Sequence, residues 1–225
     1  MSVNIAIDGP AGAGKSTVAK QVARKLGFIY VDTGAMYRAM ALYFIRQGIG
    51  ADEREKIEEA CGHVDITIDY VNQEQIVLLN GENVNGLIRT EEVGNMASAS
   101  SADPKVREKL VALQQKLAKE RDVVMDGRDI GTVVLPNASV KIYLTADASV
   151  RAKRRYDELL EKGTKADLSE IERDIIERDE RDMNREISPL RRAEDATLID
   201  SSNLSISEVV EKIISLADAS RSTGE

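Results

Sequence analysis

Fifteen residues near the start of the chain restrict what the remainder can be. From Val3 to Thr17 the sequence reads VNIAIDGPAGAGKST. An apolar run, Val3 to Ile7, stops at Asp8, and Gly9 opens a loop that closes, after four intervening residues, in Gly14, Lys15 and Ser16. This is the spacing G-x-x-x-x-G-K-[ST]. Gly9, Gly12 and Gly14 reach backbone angles that side chains resist, so successive N–H groups can turn inward around an anion. Lys15 adds a charge for terminal phosphates, and the Ser16 hydroxyl is a ligand for Mg²⁺. Val18, Val22 and Leu26 recur at helical spacing behind the loop, and Gly27 ends the pattern. A strand, a glycine loop and a helix whose positive end faces the loop together predict a nucleotide phosphate site at Gly9, Pro10, Ala11, Gly12, Ala13, Gly14, Lys15, Ser16 and Thr17.

The rest of the chain repeats the strand-then-helix rhythm. Phe28 to Val31 runs into Asp32, Asp122 to Met125 into Asp126, and Thr197 to Ile199 into Asp200; Ser139 to Leu144 is a fifth strand candidate. Helical patterns separate them, which predicts an α/β fold with a parallel five-stranded sheet flanked by helices. Ligands in such sheets lie beyond the carboxyl ends of the strands, where four of the five place an aspartate. From Val64 to Val84 the pattern changes to alternation, with Asn80-Gly81 as a hairpin signal, so an antiparallel patch interrupts the sheet. Asp103-Pro104 caps an amphipathic helix whose expected stripe is Val106, Leu110, Leu113 and Leu117. Long charged helices follow over Asp147 to Lys162 and Leu168 to Glu186, and Ser205-x-x-Glu208 is a capping box opening the last helix. The tail from Ser220 to Glu225 is polar and expected to fray.

Composition removes several classes. The net charge of −8 and the 4% aromatic content argue against a nucleic-acid surface. Cys61 stands alone, so no internal disulfide forms and a reducing, cytoplasmic setting is expected. No apolar run is long enough to span a bilayer, and no apolar stripe is left over, so a monomer without membrane partners is expected.

A phosphate loop serves many chemistries, and three arginine groups narrow the choice. Arg38 follows Asp32 in VDTGAMYR, Arg128 stands in DGRDIGT, and Arg178, Arg181, Asp182 and Arg185 are spaced for one helical face. Arg151, Arg154 and Arg155 cluster on the preceding helix. An arginine-rich helix is ordinarily a solvated face of ion pairs. Beside a phosphate loop it also suits phosphoryl transfer onto a second phosphate, where bidentate guanidinium groups offset gathered negative charge. A switch GTPase would carry D-x-x-G, which occurs nowhere; Thr164-Lys165-Ala166-Asp167 matches a guanine motif but follows a polar loop, not a strand. The readings left open are a kinase for a small acceptor such as UMP, AMP, dTMP or shikimate, and a non-catalytic nucleotide switch.

Taken together, GPAGAGKST, VDTGAMYR, VVMDGRDIGTVV and IIERDERDMNREISPL resemble the bacterial cytidylate kinases, (d)CMP kinases of the nucleoside monophosphate kinase fold. The resemblance covers essentially the whole chain in order. It implies a single domain over 1–225: a P-loop NTPase-type core at 1–60, 103–150 and 187–225, a monophosphate-binding insert at about 61–102, and a helical lid at about 151–186. The implied reaction is ATP with CMP or dCMP giving ADP with CDP or dCDP, assisted by Mg²⁺ held through Ser16. Lys15, Arg128, Arg178 and Arg185 would be catalytic, and Arg151 and Arg155 would close over ATP. Arg38, Arg128 and Arg185 would grip the CMP phosphate, with Thr33 and Tyr37 lining its pocket and Arg178 bridging the nucleotides. Ser98, Arg107 and Asp129 would read cytosine, with Ser100 and Ser101 as competing neighbours of Ser98, and Asp182 would hold the sugar hydroxyl.

Overall fold

The computed structural model describes residues 3–72 and 74–222. The chain packs into two compact units, one of Val3–Phe28 with Val124–Glu225 and one of Ile29–Val123.

The parallel sheet is built from β1 (Asn4–Asp8), β2 (Ile29–Asp32), β6 (Val123–Gly127), β7 (Val140–Thr145) and β8 (Thr197–Asp200), in the order β2-β6-β1-β7-β8. β7 pairs in parallel with β1 on one side, Ile7 opposite Ile142, and with β8 on the other, Leu144 opposite Ile199. Ile5, Ala6 and Ile7 of β1 and Val123, Val124 and Met125 of β6 have no exposed surface, as central strands covered on both faces require. In the first unit α1 (Lys15–Leu26) packs on α8 (Ile206–Ser222), burying Val18, Ala19 and Val22 against a helix that offers Val209, Val210, Ile213 and Ala217. α8 begins with the expected capping box: Glu208 N–H donates to Ser205 Oγ, while the Ser205 N–H and hydroxyl donate to Glu208 Oε2. The polar tail expected to fray begins inside α8, and residues 223–225 lie outside the described residues.

Two features of the first unit place its functional loops. Gly9 leaves β1 at φ +149°, where an added Cβ would stand 1.9 Å from the Leu144 carbonyl oxygen, so only a hydrogen fits there. After β6 the chain turns through a short π-helix, Ile130–Val134, closed by Leu135 N–H donating to Ile130 O at 2.6 Å. β7 follows it, and then come α6 (Ala148–Glu161) and α7 (Leu168–Asn184), which pack on each other.

The second unit carries α2 (Thr33–Arg46), α3 (Arg54–His63), the antiparallel sheet β3 (Ile66–Val71), β4 (Glu74–Leu79) and β5 (Glu82–Asn83), then α4 (Glu91–Ser100) and α5 (Pro104–Glu120). Asn80 and Gly81 both take positive φ, +48° and +82°, the geometry of a tight hairpin turn between β4 and β5. α2 lies against α4, α5 and β4, and Ala39, Met40, Phe44, Val77 and Val84 are wholly buried. The stripe of α5 differs from expectation. Its buried positions are Val106, Arg107, Leu110, Gln114 and Ala118, while Leu113 and Leu117 are only half-buried. The helix is turned so that two polar side chains take inward places that leucines were expected to fill.

No helix among the described residues is long and apolar enough to cross a membrane. Cys61, near the end of α3, is buried, and burial with Asp103 nearby pushes its thiol up to about 11. At pH 8 only about one such thiol in a thousand is ionised. A maleimide should therefore label the native chain slowly at pH 8 and stoichiometrically in urea, as read by intact-mass spectrometry.

Candidate functional site

The phosphate loop in the first unit takes the conformation its glycines permit. Gly12 and Gly14 have φ of +76° and +85°, and Gly14 is the N-cap of α1. Lys15 is buried, its Nζ donating to Pro10 O at 2.7 Å; burial and the neighbouring Arg128 hold its pKa down to about 7. Ser16 Oγ donates to Asp126 Oδ2 at 2.9 Å, joining the loop to the end of β6. Two hard oxygen donors at a phosphate loop suit Mg²⁺, which keeps few protein ligands and completes its shell with water and phosphate. Among the described residues no cluster of three His, Cys, Asp or Glu side chains offers a metal cage.

Arg151 and Arg154 are engaged with the core. Arg151 is buried; its Nη1 donates to Ala11 O at 2.8 Å, its Nε to Ala146 O at 2.8 Å, and its Nη2 meets Asp179 Oδ2 at 2.6 Å. Gly12 passes close over it, since a Cβ there would stand 3.3 Å from Arg151 Cβ. Arg154 Nη2 donates to Ser201 O at 2.7 Å. Arg155 lies on the surface, paired with Glu158. The first of the three therefore supports the phosphate loop from beneath, and the third faces solvent.

The segment between β6 and the π-helix and the end of α7 bring the remaining charges of this unit together. Arg128 Nε donates to Asp182 Oδ2 at 2.7 Å, and Arg185 Nη2 lies 3.7 Å from Asp129 Oδ1. Arg178 stands beside Arg128 and Asp182; burial and the Arg128 charge lower its pKa, and its Nε is buried with no hydrogen-bond partner among the described residues. Burial alone would raise the pKa of Asp182, yet Arg128, followed by Arg178 and Arg185, brings it below the usual carboxylate value. The expectation that Arg178, Arg181, Asp182 and Arg185 share one helical face is corrected. Arg181 is exposed, Asp179 takes an inward place, and Arg185 is the C-cap residue, already extended at ψ 141°. That extended backbone lets Arg185 Nε reach Ser188 O at 2.5 Å.

In the second unit Thr33 is buried at the start of α2, which Asp32 caps by accepting from Ala35 N. Asp32 is also paired with Arg89, and Gln75 bonds both its N–H and its carbonyl. Arg38 Nη1 donates to Ile88 O at 3.3 Å and lies against Gly94, where a Cβ would stand 2.9 Å from it. Arg107, buried on α5, donates from Nη1 to Tyr37 Oη at 3.2 Å. The three serines separate by how their hydroxyls are used. Ser100 donates to Met96 O and Ser101 to Ser98 O, whereas the Ser98 Oγ is buried with no hydrogen-bond partner among the described residues. A buried hydroxyl left unbonded is costly, and of the three serines Ser98 is the one whose hydroxyl hydrogen is uncommitted among the described residues.

The cytidylate kinase family model matches residues 5–219. The chain belongs to the cytidylate kinase family. A cytidylate kinase of Caldicellulosiruptor saccharolyticus is 55% identical over 95% of each chain, and one of Caldicellulosiruptor bescii 53% identical over the same shares. A gluconokinase structure from Sinorhizobium meliloti superposes with a TM-score of 0.51 at 14% identity, covering 98% of this chain and 95% of that one, a likeness of fold alone.

Two carboxylates central to this geometry, Asp126 and Asp179, were not among the expected site residues. The only signal for Asp126 was its place at a strand end, and Asp179 sat unmarked among the charges of α7. Removing Asp179 leaves the Arg151 guanidinium buried without its counter-charge, which costs about 3 kcal/mol or more. Removing the exposed Arg155 should change stability by less than about 0.5 kcal/mol. Urea unfolding of Asp179→Ala and Arg155→Ala measures the contrast.

Proposed function

We propose that this chain transfers the γ-phosphoryl group of ATP to CMP or dCMP, releasing ADP and CDP or dCDP. Membership of the cytidylate kinase family over residues 5–219 carries the reading. The reaction joins two anions, and the acceptor oxygen is already ionised, so no catalytic base is required. The protein's contribution is positioning and charge neutralisation.

In this reading the loop from Gly9 to Thr17 cradles the donor phosphates and Lys15 neutralises their terminal oxygens. Ser16 and Asp126 would hold Mg²⁺, which when bound draws negative charge from the β and γ oxygens. Arg38, Arg128 and Arg185 hold the acceptor phosphate, with Thr33 and Tyr37 beside it. Arg178, whose Nε is buried with no hydrogen-bond partner among the described residues, serves the transferring group. Ser98 and Arg107 donate to cytosine, Asp129 accepts from its exocyclic amine, and Asp182 accepts from the sugar hydroxyl. Residues 61–102 act as the monophosphate-binding insert and 151–186 as a lid that excludes water, so that ATP is not simply hydrolysed. Within that lid Arg155 is exposed and available to ATP, while Arg151 acts through the backbone of the loop.

Uracil offers a carbonyl where cytosine has an amine, which sets two acceptors against each other at Asp129. An ADP-release assay with ATP, Mg²⁺ and CMP, dCMP, UMP, AMP, dTMP or shikimate should show strong turnover confined to CMP and dCMP. Comparable turnover of UMP would overturn the cytosine assignment, and turnover of shikimate or AMP alone would overturn the acceptor class. Arg178→Ala should lower kcat by about 100-fold or more while the ATP dissociation constant moves little. An unchanged kcat would return that arginine to a structural role.

A further inference from the structure

Asp8 is the last residue of β1 and the residue before the phosphate loop, and the roles assigned above do not use it. It is buried, and both of its oxygens are committed: Oδ1 accepts from Ile130 N–H and Oδ2 from Gly131 N–H, each at 2.7 Å. These two N–H groups open the π-helix Ile130–Val134, where the first backbone donors have no partner within the turn. Such donors are ordinarily capped by the side chain at the N-cap position. Here that position is Asp129, an aspartate well suited to the task, yet it makes no side-chain cap bond. The cap comes instead from a carboxylate more than 120 residues away in the chain.

The clasp is tight on its far side as well. A Cβ on Gly131 would stand 3.2 Å from Lys141 Cδ and 3.4 Å from Asp8 Oδ2. Lys141 cannot easily give way, because its Nζ is held by Pro136 O and by Asp195. The turn that follows Arg128 and Asp129 is thus gripped between the end of β1 and a pinned side chain of β7. Burial raises the Asp8 pKa to about 6, while the N–H groups of Gly131 and Ile130 oppose that rise by favouring the charged carboxylate.

We propose that Asp8 is a positioning residue that caps the π-helix in place of Asp129, so that the Asp129 carboxylate is kept for the acceptor's base and acceptor selectivity depends on Asp8. The inference rests on the proposed cytidylate kinase activity and on Asp129 accepting from the cytosine amine. A clasp with only a structural role would affect every acceptor alike, whereas this one sets the preference between two.

The test compares kcat/KM for CMP and for UMP in the wild type, Asp8→Asn, Asp129→Asn and the double variant, with melting temperatures recorded. The asparagine keeps the shape but turns its amide NH2 toward one of the two N–H donors, releasing half of the clasp. The expected result is a fall in the CMP-to-UMP ratio of about tenfold or more for Asp8→Asn, with KM for ATP changing less than about threefold. Adding Asp8→Asn to Asp129→Asn should leave the ratio where Asp129→Asn alone puts it, since the two act through one carboxylate. Equal losses for both acceptors, or a further fall in the double variant, overturn the proposal. Should Asp8→Asn fail to fold, Gly131→Ala displaces the turn while leaving the Asp8 charge in place. It should lower the ratio in the same direction, and an unchanged ratio again overturns the proposal. A wild type that does not prefer CMP to UMP refutes the functional reading itself, which separates the two failures.

Discussion

One guanidinium ties the first unit together. Arg151 reaches the carbonyls of Ala11 and Ala146 and the carboxylate of Asp179, so it joins the phosphate loop, the end of β7 and the middle of α7. Each of its bonds is charge-assisted and withdrawn from water, which makes them stronger than surface pairs and makes the loss of any partner costly. The phosphate loop thus rests on a side chain that also fixes the helix carrying Arg178 and Asp182. Gly12 belongs to the same construction, since its missing side chain lets the loop lie close over Arg151.

The charges of the site follow a common pattern. Lys15 and Arg178 are held where burial and a neighbouring arginine disfavour their ionised forms, and Asp182 is kept ionised by the arginines around it. Preorganised cations of this kind are partly relieved when phosphates arrive, so the same repulsion that strains the protein favours anionic ligands. Exposed pairs such as Arg54 with Glu58 and Lys162 with Glu158 are neutral as pairs and contribute nothing to the net charge of −8.

Much of this was legible in the sequence because local rules decide it. The strand ends at Asp8, Asp32 and Asp126, the Asn80-Gly81 turn, the Asp103 cap and the Ser205 capping box depend on neighbours within a few residues. What sequence reasoning missed depends on partners far along the chain. Periodicity favoured Leu113 and Leu117 as the inner stripe of α5, but the fold gives inward places to Arg107 and Gln114, trading apolar burial for a guanidinium that reaches Tyr37. On α7 the count by threes and fours put Arg181 inside, and the pairing of Asp179 with Arg151 explains the different rotation. The choice among Ser98, Ser100 and Ser101 had no sequence signal, because it turns on which hydroxyl the helix backbone has already claimed. Nor did the run Ile130 to Val134 announce a π-helix, whose cap comes from another strand.

The buried thiol on α3 has a practical side. Because Cys61 is the chain's single cysteine and is shut away, the native surface is chemically blank to thiol reagents. A cysteine introduced on an exposed turn of α6 or α7 would carry a spin label or fluorophore alone, with no background to subtract and no native residue to sacrifice.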